Sequence, residues 1–208
     1  MQLLKFIVDG FTSPGSAVMW IILLIFFGIL ALVIERIWYL VFKCGSGTGS
    51  FMSGISKYLK AGDYEKAIKY ASSVNTPLAK SVTSILQNRG KGVKAVQKSV
   101  DEVFLTEVPK ISRNIPILST LANLATLLGL TGTIYGLMIA FDAIANVPAA
   151  QRAQALATGI SVAMSTTLFG LCVAVPTILA HGLLSGKSDK IVEEMDEKTA
   201  KLINLVEE

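Results

Sequence analysis

Three long apolar runs alternate with more polar stretches along the chain. A helix needs roughly 20 apolar residues to cross a bilayer. The first run extends from Phe11 to Ile34, the second from Asn114 to Phe141 and the third from Ala153 to Gly186. Each is long enough, and Glu35 and Arg36 follow the first run instead of a small-residue cleavage site. The pattern therefore predicts an all-α integral membrane protein with three transmembrane helices.

The polar stretches also carry helical patterns. Residues 44–54 are rich in Gly and Ser and predict a linker, and residues 56–73 predict two short amphipathic helices with a turn at 61–63. Apolar positions recur at steps of three and four in three further segments, which are 76–90, 94–111 and 187–208. We expect the 94–111 helix to run on toward the second span, with Pro109 and Pro116 as bends, and the tail to extend the third span.

The placement of Lys and Arg predicts the orientation, because cytoplasmic segments of membrane proteins carry an excess of positive charge. Twelve of these residues lie between Lys43 and Arg113, four lie in the C-terminal tail, and the 142–152 connection carries only Arg152. The predicted order is a periplasmic segment 1–14, transmembrane helix 15–42, a cytoplasmic helical domain 43–113, transmembrane helix 114–141, a short periplasmic loop 142–154, transmembrane helix 155–184 and a cytoplasmic helix 185–208. We therefore expect a multi-pass protein of a bacterial inner membrane.

Composition narrows the function classes. The 208 residues are 52% hydrophobic and only 16% charged, and the net charge of +4 is spread without a basic arm, so nucleic acid is not an expected partner. Cys44 and Cys172 follow no metal or disulfide spacing, and the chain has one histidine, His181. No phosphate-binding loop of the Walker type is present. We expect neither an enzyme nor a bound metal or cofactor.

Small and weakly polar residues form a stripe on each of the last two spans. On the second span they are Thr126, Gly129, Thr133, Gly136 and Ala140, and on the third they are Gly159, Ala163, Thr167, Gly170 and Ala174, with Thr166 beside them. Such stripes let membrane helices approach closely. The threonine hydroxyls could instead line a path for an ion, since a hydroxyl both donates and accepts hydrogen bonds. The residues alone leave both interpretations open.

Ionisable residues lie only at the margins of these spans. Neither span has one near its middle, whereas a proton relay through a membrane usually needs one. Asp142, at the outer end of the second span, is either an interfacial cap or a point of ion entry. Because adjacent residues do not share a helix face, we interpret Glu35 and Arg36 as interfacial anchors or partners of another helix. His181 is interpreted as interfacial.

The residues ATLLGLTGTIYGLMIAF (125–141) and GISVAMSTTLFGLCVAVP (159–176) resemble the MotA/TolQ/ExbB proton-channel family, on its ExbB/TolQ side. This resemblance implies a homo-oligomeric ring, five subunits in the family picture, around a dimer of single-span ExbD/TolR-like partners. It implies that a partner Asp carries the proton past Thr133 and Thr167. The implied function is a channel and stator subunit that couples the proton gradient, with a TonB- or TolA-like protein, to work across the envelope. The resemblance also implies pore-lining places for the neighbouring stripe residues, which are Thr126, Thr166, Gly129, Gly136, Ala163 and Gly170.

Several positions depart from the family pattern. Val162 stands where many members have Glu, Thr126 replaces a usual Pro, and Thr131 replaces a bulkier apolar residue. The extra hydroxyls make sodium the alternative to the favoured proton, because a hard cation prefers oxygen ligands. The same residues also fit the stator of a gliding or flagellar-type motor, or a membrane scaffold that conducts nothing.

Overall fold

The computed structural model describes residues 10–11, 16–45 and 47–207, and its long elements are all helices. The helices are α1 (Ser16–Trp38), a π-helical segment (Tyr39–Cys44), α2 (Thr48–Lys60), α3 (Tyr64–Ser73), α4 (Pro77–Asn88), α5 (Val93–Ser112), α6 (Ile115–Asn146), a short 3₁₀ helix (Ala149–Gln151) and α7 (Arg152–Glu207). Most of the predicted segment 1–14 lies outside the described residues. Three helical stretches are long and apolar enough to cross a membrane, which agrees with the three predicted spans.

The chain forms two compact units. The first comprises residues 1–34 and 115–182, and the second comprises residues 35–114 and 183–208. Within the first unit, α6 and the N-terminal part of α7 pack against each other. The ring of Phe11 there meets the rings of Trp20 and Phe169 edge-on, each at 5.3 Å between centroids.

In the second unit, α2 to α5 pack through the faces that their periodicity predicts. Leu78, Val82, Ile85 and Leu86 of α4 are all buried, as expected from their spacing. The predicted turn at 61–63 is also confirmed: Gly62 has φ +73°, and the amides of Gly62 and Asp63 donate back to the carbonyls of Leu59 and Tyr58. This pattern is a Schellman motif, which satisfies the last carbonyls of α2.

The structure corrects the linker prediction for residues 44–54. Helix α2 begins at Thr48, because Phe51 starts a buried face at steps of four with Ile55 and Leu59. Tertiary packing of such a face outweighs the poor helix propensity of Gly and Ser. Gly54 contributes by lacking a side chain, since a Cβ atom there would lie 2.9 Å from the ring of Tyr70.

The 94–111 helix runs toward the second span as predicted, but it is not continuous with that span. Helix α5 passes through Pro109 but ends at Ser112, and Asn114 adopts φ +62° before α6 begins. Asn is one of the few residues that enter this left-handed region at modest cost. Pro116 follows in the first turn of α6, where its missing N–H removes no hydrogen bond. The expected helical continuation of the third span is confirmed, because α7 is continuous to Glu207, whereas the cytoplasmic location of its C-terminal part stays a prediction.

Charged side chains are buried in the second unit around the end of α5. Arg36 is 2% exposed; its guanidinium contacts the Glu35 carboxylate at 2.5 Å and donates to the carbonyl of Lys110 at 3.1 Å. The second contact agrees with one of the two interpretations given above, a partner on another helix. The first corrects the expectation that the adjacent residues would not meet, because the Arg36 side chain is long enough for its guanidinium to reach the neighbouring carboxylate.

Glu107, at 4% exposure, is the carboxylate at the centre of a second cluster, and it contacts the ammonium groups of Lys80 at 3.0 Å and Lys110 at 2.8 Å. Burial raises the pKa of Glu107. The hydrogen bonds from Lys110 and Lys80 lower that pKa by more than burial raises it, so the pKa of Glu107 lies below its ordinary value. The carboxylate is therefore charged at neutral pH and ties α4 to α5.

Candidate functional site

The two predicted stripes face each other along the contact between α6 and α7 in the first unit. The helices are antiparallel there, since Gly129 lies beside Gly170 while Gly136 lies beside Ala163. A Cβ atom on Gly136 would lie 2.8 Å from the backbone nitrogen of Ala163, and one on Gly170 would lie 2.7 Å from the carbonyl oxygen of Ala125. Small residues are therefore required for this backbone approach, as in other membrane helix pairs.

Thr133 and Thr167 meet at the centre of this contact, and their hydroxyls are hydrogen-bonded to each other. The Thr133 hydroxyl also lies 3.2 Å from the carbonyl oxygen of Gly129 and 3.3 Å from that of Ala163. The Thr167 hydroxyl lies 3.1 Å from the Gly129 carbonyl oxygen. Each hydroxyl has one hydrogen to donate, so the two hydroxyls can exchange acceptors within this set. Both threonines are half-buried, which leaves part of each side chain open beside the helix pair.

Thr166 and Thr126 occupy different environments from this pair. Thr166 is 1% exposed, and its hydroxyl lies 2.8 Å from the Ala163 carbonyl and 3.4 Å from the Gly129 carbonyl. Thr126 is exposed, and its hydroxyl bonds to the carbonyl of Ala122 in the preceding turn at 3.2 Å. Thr166 thus lies inside the helix contact, whereas Thr126 lies on its open margin.

The remaining predicted site residues divide in the same way. Gly129, Gly136, Ala163 and Gly170 are buried in the helix contact. Asp142 is exposed near the end of α6, where its backbone carbonyl accepts a hydrogen bond from the Asn146 amide at 3.0 Å. The structure therefore brings the glycines, Ala163 and three threonines together, but it does not bring Asp142 to the hydroxyl pair. Their roles in an ion path stay predictions.

Gly132 is a residue of this contact that the sequence analysis missed. A Cβ atom there would lie 2.5 Å from the Thr166 hydroxyl oxygen. The sequence contained a signal for Gly132, namely its helical spacing: it follows Gly129 by three residues and precedes Gly136 by four. Val162 is buried and lines a cavity of about 200 Å³ with Gly159, Thr158 and Gly136, so an apolar side chain occupies the position at which related sequences were expected to carry Glu.

The chemistry available at the hydroxyl pair is hydrogen bonding without fixed charge. Residues 115–141 and 153–180 contain no Asp, Glu, Lys, Arg or His. Within the described part of the chain, no cluster of His, Cys, Asp or Glu is arranged to hold a metal ion. The hydroxyls and neighbouring carbonyls can hold water, a protonated carboxyl group or a weakly bound cation.

Comparison with known proteins identifies the family. The sequence profile of the MotA/TolQ/ExbB proton channel family matches residues 72–197, more than half of the chain, including all of α6 and most of α7. The chain belongs to this family. Members are membrane channels that transduce energy, so the expected function class is confirmed at that level.

Named relatives place the chain beside the ExbB/TolQ branch. It is 25% identical over 191 residues to a protein of Methanothermobacter thermautotrophicus named as a biopolymer transport ExbB homolog, covering 91% of this chain and 67% of that protein. It is 29% identical to the Tol-Pal system protein TolQ of Haemophilus influenzae, covering 49% of this chain and 44% of TolQ. It is 34% identical to the biopolymer transport protein ExbB of Helicobacter pylori, covering 40% of this chain and 57% of ExbB. The chain thus spans about half the length of these two bacterial relatives.

Proposed function

We propose that this chain is a ring-forming subunit of a proton channel in an inner membrane and that it couples proton flow to mechanical work. The observation that carries the proposal is the half-buried hydroxyl pair of Thr133 and Thr167, set between two apolar helices without a fixed charge. Such a pair can exchange hydrogen bonds with a passing protonated group at little cost.

The titrating group of the channel comes from a partner. Since α6 and α7 carry no carboxylate near the pair, an acidic side chain must be supplied by another helix for protons to be relayed. A single-span ExbD/TolR-like protein with an Asp in its membrane helix fits this requirement. Its carboxyl would be neutral beside the hydroxyls and would ionise where water reaches it.

A ring of identical subunits, five in the family picture, would enclose a dimer of such partners. The exposed apolar side chains of α6, including Leu127, Ile134 and Met138, supply surface for neighbouring subunits and lipid. Movement of the partner, driven by proton flow, would transmit force to a TonB- or TolA-like protein. Sodium is the less favoured ion, and Asp142 is the outer entry candidate.

Proton flux in proteoliposomes tests this proposal. The full chain would be reconstituted with an ExbD/TolR-like protein from the same organism, and flux would be followed with an enclosed pH-sensitive dye. Thr133→Val and Thr167→Val keep the side-chain shape but remove the hydroxyl. Each is expected to reduce flux by roughly 2- to 10-fold, since a hydrogen bond between neutral groups contributes about 0.5–1.5 kcal/mol.

Thr131→Val and Thr158→Val are the matched controls. Both residues are exposed, and each hydroxyl bonds only to its own helix, at 2.9 Å to Leu127 and 3.0 Å to Gln154. They should leave proton flux nearly unchanged. Unaltered flux in Thr133→Val and Thr167→Val, with the partner still bound, would refute the proposed path.

The second candidate function is a scaffold that conducts nothing. The tight approach of Gly132 to Thr166 favours it, because this contact by itself accounts for a small-residue stripe. Partner binding without any proton flux in the unmodified complex would support the scaffold and exclude the channel.

A further inference from the structure

A small cavity of about 100 Å³ lies in the second unit, beside the start of α2 and the C-terminal part of α7. Among the residues that line it are Cys44, Thr48, Leu78, Lys187, Lys190 and Glu194. The volume is large enough for several water molecules or one small tetrahedral anion. The cavity is remote in sequence from the hydroxyl pair and belongs to the other unit.

The lining of this cavity is positively charged. Lys187 and Lys190 are three residues apart on α7 and therefore lie on one side of the helix. Neither forms an ion pair with any residue in the described ranges. The carboxylate in the lining, Glu194, is paired with Lys198 at 3.2 Å. Two ammonium groups thus remain for an anionic ligand.

The beginning of α2 adds backbone amide groups, which also favour an anion. Thr48 opens the helix, and its N-cap residue Gly47, at φ +75°, provides no side-chain cap. The amide of Phe51 donates to the Gly47 carbonyl at 2.9 Å, whereas the preceding amides of a first turn have no acceptor within the helix. Amides and the helix dipole favour an anion there. Burial raises the pKa of the Cys44 thiol, which therefore adds no negative charge at neutral pH.

Exposed apolar side chains precede, in the sequence, two of the three chain segments that line this cavity. Phe42, 66% exposed, precedes Cys44 by two residues, and Leu183, 78% exposed, precedes Lys187 by four. Val41 is exposed as well. A basic cavity with two lining segments that follow exposed apolar residues in the sequence matches an anionic group joined to hydrocarbon chains, whereas a free anion would need only the cavity.

We propose that this cavity binds the phosphate group of an anionic phospholipid, with Lys187 and Lys190 as its cationic partners and Phe42 and Leu183 against the acyl chains. The first and third apolar runs end near these residues in the sequence, so the lipid would lie at the membrane boundary. The proposal requires a membrane-embedded chain but does not depend on proton conduction.

Native mass spectrometry of the full chain in detergent tests this site. Phosphatidylglycerol would be titrated against the unmodified chain, the Lys187→Gln/Lys190→Gln variant and the Lys187→Arg/Lys190→Arg variant. The glutamine variant is expected to bind about 30-fold more weakly, because each lysine near an anionic lipid contributes roughly fivefold. The arginine variant keeps the charges and should keep most of the binding.

Lys94→Gln/Lys98→Gln is the matched control, because it removes two exposed charges from α5 that form no ion pair within the described part of the chain. This control variant should bind phosphatidylglycerol as tightly as the unmodified chain does. Phosphatidylcholine, which has no net charge, should bind neither to the control variant nor to the unmodified chain. An equal loss of phosphatidylglycerol binding in the control would overturn the proposed site, because binding would then depend on the overall surface charge. Inorganic phosphate that displaces the lipid at equal concentration would assign the cavity to free phosphate and overturn the lipid proposal.

Discussion

At the scale of single residues, Glu107 is a buried charge on which we expect the stability of the second unit to depend. Glu107→Gln would leave Lys80 and Lys110 without their shared carboxylate. Both lysines are about half exposed, so water compensates for part of the loss. We expect a decrease of roughly 1–2 kcal/mol in the free energy of unfolding, measured by thermal denaturation in detergent.

The pH dependence of this stability follows from the lowered pKa of Glu107. A carboxyl whose pKa is lower in the folded chain contributes its full stabilisation above its unfolded pKa, about 4.3, and loses it as the pH falls through the folded pKa. The unmodified chain should therefore lose more stability than Glu107→Gln when the pH falls below about 4.3. Glu197→Gln, which removes the exposed pair with Lys201, is the control and should change stability little. Equal acid sensitivity in Glu107→Gln and the unmodified chain would contradict this assignment.

At the scale of helices, the approach of α6 to α7 depends on the missing side chain of Gly136. In Gly136→Ala the new methyl group would press on the backbone of Ala163, which cannot rotate away. Overpacking of this kind costs about 1–3 kcal/mol, more than the gain of up to about 1 kcal/mol in helix propensity. Thermal denaturation in detergent should show a lower midpoint. Gly182→Ala is the matched control, because a Cβ atom there would meet nothing within 4 Å, and its midpoint should stay the same or rise.

The sequence predicted the helices better than their ends and their contacts. The buried face of α4 was evident because Leu78, Val82 and Ile85 repeat at the helical period. The start of α2 at Thr48 was missed, since local Gly and Ser content argued against the packing that Phe51 provides. The bond from Arg36 to the Lys110 carbonyl joins residues 74 apart, and no local pattern encodes such a partner. In the candidate site the threonines were found from periodicity, whereas the direct bond between Thr133 and Thr167 required the register of two helices.

At the scale of the whole molecule, membrane orientation is the property on which the proposed coupling depends. The concentration of Lys and Arg between residues 43 and 113 predicts that this segment lies in the cytoplasm and that the 142–154 loop lies outside. The proposed coupling needs an ion entry on the outer side, for which Asp142 is the proposed candidate, and an exit on the cytoplasmic side. In the opposite orientation, the proton gradient across the hydroxyl pair would point the other way along the helices.

Single-cysteine labelling measures this orientation. Cys44→Ala and Cys172→Ala would remove the native thiols, and Ala150→Cys or Lys91→Cys would then place one thiol at an exposed position in each polar segment. A maleimide that cannot cross the membrane should label Ala150→Cys in right-side-out vesicles and Lys91→Cys only in inverted vesicles. Each variant serves as the control for the other, because both thiols should react once detergent opens the vesicles. Labelling of both variants from the same side would contradict three spans. If instead Lys91→Cys reacts in right-side-out vesicles and Ala150→Cys only in inverted vesicles, the 43–113 domain lies outside. The chain would then lack the direction of proton flow that the coupling needs.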